Sequence, residues 1–163
     1  MRAITMLLAL ASCPAFAETR TLRFSHLTQP QDLMECMTLI RSIGDVRTAM
    51  LDPVARNVSF SGSPQQVDLI EWLVKELDKP IAEAQVRSVR SYTLPGDDPE
   101  NSVKLFFLGH TAPGKPLQAL ATKVRVVTEA RRLFTHNAHR IIAVRGTPQQ
   151  LADAAQLIDA SDE

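Results

Sequence analysis

An internal repeat constrains this chain more than any other feature of its sequence. The segment Gly62-Ser63-Pro64-Gln65-Gln66-Val67 recurs 84 residues later as Gly146-Thr147-Pro148-Gln149-Gln150-Leu151. With that offset and no gap, residues 22–78 align with residues 106–162, and 12 of the 57 aligned pairs are identical. A repeat of this length is the signature of a duplicated supersecondary unit. We therefore expect one module at 20–80 and a second at 102–163.

Each copy predicts the order strand, helix, strand, strand, helix. In the first copy, Thr21–Ser25 alternates apolar and polar residues as a half-buried strand does. A helix then carries an apolar stripe with a period of 3.6 residues, formed by Leu33, Cys36, Met37, Ile40 and Ile43. The predicted fold class is α+β: two tandem βαββα modules, KH-like in outline, each a small sheet with two helices on one face.

Turn and cap residues predict where these elements end. Asp52-Pro53 marks a hairpin turn between two short strands, and Pro53 cannot donate to a central ladder. Ser63 followed by Pro64 predicts the start of the second helix, with the serine as its cap. Thr147 takes the same position in the second copy.

The segment 81–101 between the modules has two interpretations. Residues 85–94 include Val86, Val89 and Tyr92, and they precede a turn-forming run from Pro95 to Pro99. An added strand would pair with residues 102–108 as a hairpin. A flexible linker is the alternative.

The N-terminus predicts export. Arg2 precedes an apolar run from Ala3 to Ala11, and Ala15-Phe16-Ala17 matches a signal-peptidase site with cleavage after Ala17. Residues 1–17 are therefore a predicted signal peptide of a periplasmic protein. Alternatively, Leu10-Ala11-Ser12-Cys13 resembles a lipobox, in which case residues 1–12 are removed and an acylated Cys13 anchors the chain to a membrane. No later segment approaches the roughly 20 apolar residues that span a bilayer.

Charge and cysteine content exclude some classes of protein. The chain has 18 basic and 18 acidic residues, and loss of Arg2 with the signal leaves 17 basic residues. This balance lacks the positive field on which non-specific nucleic-acid binding rests. Cleavage after Ala17 leaves only Cys36, which falls in an apolar helical pattern and is expected to be a buried hydrophobe.

The histidines are the only candidates for site chemistry. His110, His136 and His139 could supply metal ligands, but they lack a cysteine or carboxylate at firm ligand spacing, so a solvated turn is favoured for His136 and His139. His26 and His110 share a repeat position, which favours a common structural role. No nucleophile, phosphate-loop, dinucleotide or zinc-protease motif is present. We predict no enzyme activity, no catalytic residue, no metal and no cofactor.

Three residues are candidates for a protein interface. Trp72 lies beside the apolar stripe of its helix, where an aromatic residue either closes the core or anchors a partner. Arg47 and Arg131 are a repeated pair, as are Arg41/Arg125 and Arg56/Arg140. These arginines either form a common face for an acidic partner or lie on a solvated surface.

Both copies share a motif: an apolar strand ending in Gly-Ser/Thr-Pro, then a helix ending near Leu-Asp or Ile-Asp. Its residues are Leu51 to Pro64 and Leu73 to Pro80 in the first copy, and Arg140 to Pro148 and Ile158-Asp159 in the second. The pattern resembles the periplasmic N-domains of bacterial secretins (secretin/NolW-like modules). The second copy departs from it at the turn, where His136-Asn137 replaces Asp52-Pro53. The KH outline lacks its Gly-x-x-Gly loop in both copies.

The resemblance implies a function in assembly. Secretin N-domains stack into periplasmic rings and contact partner proteins, and the sequence contains no stretch that would form the family's membrane barrel. We therefore expect a non-enzymatic interaction module, accessory to a secretin-type secretion or pilus machine, with protein partners, among them like modules in a homo-oligomer, and no nucleic acid. The alternatives are a free-standing envelope binder of a small ligand or peptide, and a histidine-based metal or hydrolytic protein.

Overall fold

The two copies of the repeat fold into two units of the same topology. The computed structural model describes residues 17–84 and 86–162. The first unit comprises β1 (Glu18–Arg23), α1 (Pro30–Gly44), β2 (Thr48–Asp52), β3 (Asn57–Gly62) and α2 (Pro64–Leu77). A short helix α3 (Ile81–Ala84) and strand β4 (Ser88–Thr93) follow. The second unit comprises β5 (Ser102–Phe107), α4 (Lys115–Thr128), β6 (Arg132–His136), β7 (Ile141–Gly146) and α5 (Pro148–Asp159). The predicted α+β class with two βαββα units is confirmed.

Two antiparallel sheets form, and the second is one strand wider. The first sheet has the order β1-β3-β2 and the second has the order β4-β5-β7-β6. Without β4, the two orders are equivalent strand for strand. β4 pairs with β5 through the turn that contains Gly96. β2 is an edge strand, which agrees with Pro53 following its end.

The sheets and helices form four layers, in which α1 and α2 lie between the two sheets. One core cluster joins residues of the first unit to the inward side chains of Val103, Leu105, Phe107, Ile141 and Ala143. A second cluster joins α4 and α5 to the alternate residues of the same strands, such as Phe106 and Ile142. Since successive side chains of a strand point to opposite faces, the second sheet is covered on both faces. Its own helices cover one face, and the helices of the first unit cover the other.

The helices of the first unit have a second apolar stripe that the second unit lacks. Positions facing the unit's own sheet are buried in both copies, as at Leu33 and Leu117 or Ile40 and Val124. Five further positions are buried only in the first unit: Leu39, Ile43, Leu69, Leu73 and Leu77. Their counterparts, all exposed or half-buried, are Lys123, Val127, Asp153, Leu157 and Ser161. The extra stripe is where the second sheet packs.

The central strands of the two sheets show the same asymmetry. All six residues of β7 are buried, as expected for a strand covered on both faces. In β3, buried residues alternate with half-buried ones. Ser59 and Ser61 on that half-buried face make hydroxyl hydrogen bonds of 2.8 and 2.9 Å to Thr21 and Thr19. The outer face of the first sheet is therefore polar and open to solvent.

An aspartate at the same position of both repeats follows the last helix of each unit and binds the segment just after the first strand. Asp78 accepts hydrogen bonds of 2.6 to 3.0 Å from the backbone N–H groups of residues 25–27. Asp162 accepts hydrogen bonds of 2.6 to 3.0 Å from those of residues 109–111. Nδ1 of His26 and of His110 lies 2.8 and 3.0 Å from the backbone oxygen of the same aspartate. The common structural role predicted for these two histidines is confirmed.

Capping boxes open the second helix of each unit, as the sequence predicts. Ser63 Oγ accepts from the Gln66 N–H at 3.3 Å, and the Gln66 side chain accepts from the Ser63 N–H at 2.9 Å. We expect Ser63→Ala to lower the free energy of unfolding by about 1 kcal/mol, because the Gln66 N–H loses its side-chain acceptor and the capping box is broken. Urea unfolding measures this. The matched control is Ser63→Thr, the residue used in the second copy, which should change little; equal losses in both variants would contradict the role of the cap.

Candidate interaction surface

We call the contact between the helices of the first unit and the second sheet the seam. Several residues at the seam differ from their counterparts in the other copy of the repeat. In the first unit the turn after β2, from Asp52 to Val54, is exposed. In the second unit the equivalent turn carries His136, Asn137 and His139, and it lies against α1. The sequence difference at this turn therefore marks a contact that only the second copy makes.

Hydrogen bonds and an ion pair connect α1 to the second unit near both ends of the helix, and we call these contacts the clamp. The Glu35 carboxylate accepts from the backbone N–H of Asn137 at 2.7 Å and from its side-chain amide at 2.8 Å. Near the other end of α1, Arg132 donates to Asp45 at 2.9 Å, and Arg145 donates to the Ile43 carbonyl at 3.0 Å. Burial lowers the pKa of the Arg145 guanidinium from its ordinary value, and the nearby Arg132 adds to the shift.

A double-mutant cycle tests the clamp at Glu35. We expect Glu35→Ala and Asn137→Ala to show a coupling energy of about 1 kcal/mol in unfolding experiments. Each single variant already removes the hydrogen bond between the Asn137 amide and the Glu35 carboxylate, so the double variant loses it only once. The control cycle uses the exposed pair Arg20 and Glu18, which are 3.2 Å apart. That pair should couple by less than about 0.5 kcal/mol. Additive losses at Glu35 and Asn137 would show that the clamp contributes nothing specific.

His136 and His139 are buried at this seam, so the expectation of a solvated turn is wrong. Both rings are fully inaccessible, with centroids 5.0 Å apart. His136 Nε2 lies 3.3 Å from the Asp32 carbonyl oxygen, while neither ring nitrogen of His139 makes a hydrogen bond of ordinary geometry among the described residues, although the Leu77 backbone lies near the ring. Burial lowers the pKa of His136, and burial together with the neighbouring His136 lowers that of His139 to about 4. Both rings are therefore neutral at pH 7.

The histidines do not assemble a metal site in the described part of the chain. No three histidine, cysteine, aspartate or glutamate side chains within residues 17–84 and 86–162 are placed to share an ion. His110 bonds to Asp162 instead of meeting the buried pair. Cys36 is fully buried, as predicted, and burial raises the pKa of its thiol well above the ordinary value.

The predicted interface residues occupy three different settings. Trp72 is half-buried and packs against Tyr92 of β4 with ring centroids 5.2 Å apart, so it already closes one edge of the seam. Arg47 is exposed beside a pocket of about 270 Å³ that Asp45 and Gln66 also line. Arg131 is exposed between α4 and β6. Contact of any of these residues with another protein stays a prediction.

The other repeated arginines hold their own units together. Arg41 donates to the Ala49 carbonyl, and Arg125 makes the equivalent bond to Leu133 at 2.7 Å. Arg56 and Arg140 both adopt positive φ angles, of 54° and 49°, in the hairpin turns. The repetition of Arg41 and Arg125 is explained by local structure, while Arg56 and Arg140 share a backbone role: their carbonyls accept from the N–H groups of Phe24 and Leu108 at 2.8 and 3.0 Å.

The outward face of α4 and α5 carries exposed apolar side chains. Val126 and Val127 keep 72% and 58% of their surface accessible. A shallow pocket of about 330 Å³ next to them is lined by Val127, Asp153, Gln156, Leu157 and Ala160. This face is the repeat equivalent of the α1 and α2 face that packs on the second sheet. We call it the outer helix face.

Comparison with known proteins gives a partial similarity of fold. No protein-family model matches the chain, and no characterised protein matches it in sequence. Among solved structures, the N-terminal domain of the secretin XcpQ from Pseudomonas aeruginosa is 17% identical with a TM-score of 0.37, covering 93% of this chain and 64% of that one. Aeromonas hydrophila ExeD is 13% identical with a TM-score of 0.32, covering 90% of this chain and 28% of that one. The chain thus spans less than two thirds of the length of these solved structures.

Proposed function

We propose that the chain is a non-enzymatic protein–protein interaction and assembly module of the periplasm, accessory to a secretin-type secretion or pilus machine. The observation that carries this proposal is the exposed outer helix face. In the first unit the apolar stripe at the equivalent positions is buried beneath a sheet. In the second unit Val126, Val127 and Leu157 remain available on that surface. Apolar side chains presented on a surface, with polar residues around them, are typical of a site that another protein covers.

The surface chemistry supports recognition over catalysis. Asp153 and Gln156 flank the valines, so the patch has an apolar centre and a polar rim. The buried histidines, whose pKa values are lowered beside Asp32 and Glu35, are closed off from solvent by α1. A buried imidazole pair without access for a substrate has no route to act on one.

A small-ligand binder is less well supported. Five pockets on the described surface have volumes of about 190 to 340 Å³. Each is lined by residues of one sheet and of the segments and helices that belong to that sheet. None of those five lies between the units, where the ligand alternative expects a concave site. The seam is instead filled by the side chains of one continuous core.

Periplasmic localisation is part of the proposal. β1 begins at Glu18, directly after the predicted cleavage site at Ala17, so removal of residues 1–17 would leave the first strand complete. Residues 1–16, including Cys13, lie outside the described part of the chain. No helix in the described part has the length and apolarity to cross a bilayer. Intact mass spectrometry of exported protein should find Glu18 at the N-terminus, whereas an acylated Cys13 would show a lipoprotein.

Binding experiments with matched surface variants test the assembly function. The mature chain is studied by light scattering over a range of concentrations, alone and with the purified periplasmic N-terminal region of a secretin from the same host. We expect association that Val127→Glu weakens at least about tenfold, because a carboxylate would be buried in the apolar contact. Val54→Glu is the control, since Val54 is 93% exposed in a turn of the first unit. A chain that stays monomeric and ignores the secretin region would contradict the proposal.

A further inference from the structure

The buried histidine pair lies where the two units meet. The neighbouring carboxyl groups either have other hydrogen-bond partners already or are poorly able to balance a positive charge on an imidazole. α1 presents Asp32 and Glu35 to the pair, and Asp78 follows the end of α2. Glu35 is bonded to Asn137, and Asp78 is bonded to the N–H groups of residues 25–27. Burial and the neighbouring Glu35 raise the pKa of Asp32, so its carboxyl is a weak counterion in acid.

We propose that His136 and His139 form an acid-sensitive latch, and that protonation of His139 releases the helices of the first unit from the second sheet. In the neutral state the imidazoles fill the seam as nearly apolar rings. An imidazolium at His139 would be a buried charge with no hydrogen bond of ordinary geometry in the closed seam, and the nearby Leu77 backbone and the carboxyl groups of Asp32 and Asp78 offset only part of the cost of burial. Such a charge is stable only if the seam opens and admits water. The latch is an intramolecular device and does not depend on the identity of any partner.

The direction of the pH effect follows from linkage. In the closed seam the pKa of His139 is about 4, compared with 6.5 for the free side chain. The contribution of His139 to closure is therefore fully present above pH 6.5 and is progressively lost as the pH falls toward 4. At pH 5 the ratio of closed to open seams should be about 20-fold lower than at pH 7.

Opening would expose a large apolar surface. The face of the second sheet that α1 and α2 cover carries Val103, Leu105, Phe107, Ile141 and Ala143. The helices would uncover their second stripe, which includes Leu39 and Ile43. Each unit would keep its own helices on its own sheet. Acid would thus produce an open form with new docking surfaces rather than an unfolded chain.

The single tryptophan of the chain reports on the seam. Trp72 of α2 packs on Tyr92 of β4, so opening separates the two rings and exposes the indole. Between pH 7 and pH 4 we expect a red shift of Trp72 emission and binding of a hydrophobic dye, with the far-ultraviolet circular dichroism retained. His139→Leu should abolish the transition in that range. His110→Gln, at an exposed histidine that bonds to Asp162 away from the seam, should leave the transition in place.

Three results would overturn the latch. The first is no change in Trp72 emission down to pH 4. The second is simultaneous loss of emission and circular dichroism, which would mean global unfolding. The third is a transition that persists in His139→Leu. If that variant does not fold, NMR titration of the His139 ring in the unmodified chain decides: an ordinary pKa near 6.5 with the seam closed would refute the proposal.

Discussion

Leu39→Lys should lower the free energy of unfolding by about 3 to 5 kcal/mol, the largest loss we expect from a single substitution on a helix of this chain. Leu39 is fully buried on the stripe of α1 that faces the second sheet. The change removes an apolar side chain from a filled core and places an ammonium group there. Urea unfolding at neutral pH measures the loss.

The repeat supplies the matched control for this variant. Lys123 occupies the equivalent position in α4 and is exposed, because neither sheet of the described residues covers the outer helix face. Lys123→Leu should therefore change the stability by less than about 0.5 kcal/mol. A Leu39→Lys variant as stable as the control would contradict the packing of α1 between two sheets.

Asp162→Ala should cost about 3 kcal/mol, because it leaves three backbone N–H groups at residues 109–111 without their charged acceptor. The Asp162 side chain is fully buried, and the Thr111 hydroxyl also donates to it at 2.7 Å. Asp159→Ala is the control, since Asp159 is 63% exposed and only pairs with Arg87 at 2.7 Å. That substitution should cost less than about 0.5 kcal/mol. Equal losses in the two variants would show that the carboxylate at Asp162 has no special role.

The same residue predicts a pH dependence in strong acid. Burial opposes ionisation of Asp162, but hydrogen bonds from the Thr111 hydroxyl and the backbone N–H groups outweigh it and hold the pKa below the usual 3.8. A carboxylate with a depressed pKa stabilises the fold above its unfolded pKa. That stabilisation is lost as the pH falls through the folded value. The stability of Asp162→Ala should therefore fall less steeply below pH 4 than that of the unmodified chain.

The topology of the units could be predicted from sequence, because it depends on local signals. The repeated Ser/Thr-Pro caps, the apolar periods and the Asp52-Pro53 turn each act over a few residues. Comparing the copies also located the aspartates at 78 and 162 as a pair. The chemical reason for that pair, three N–H groups converging on one carboxylate, required the structure.

The seam could not be predicted, because it depends on which faces of two units meet. The apolar run Ile141-Ile142-Ala143-Val144 and the contrast between Leu39 and Lys123 both signal a second buried face. Neither signal shows which surface of the other unit covers that face. His136 and His139 looked like polar residues of a hairpin turn, and only the packing of α1 across that turn buries them.

The most direct test of the account is an NMR measurement of contacts between the rings of Trp72 and Tyr92. The chain has one tryptophan and one tyrosine, so their cross-peaks are unambiguous. One ring belongs to α2 of the first unit, and the other belongs to β4 of the second sheet, with centroids 5.2 Å apart. Strong nuclear Overhauser effects between the two rings at neutral pH are the predicted result. A well-dispersed spectrum without them would show that the units fold separately and that the four-layer arrangement does not form in solution.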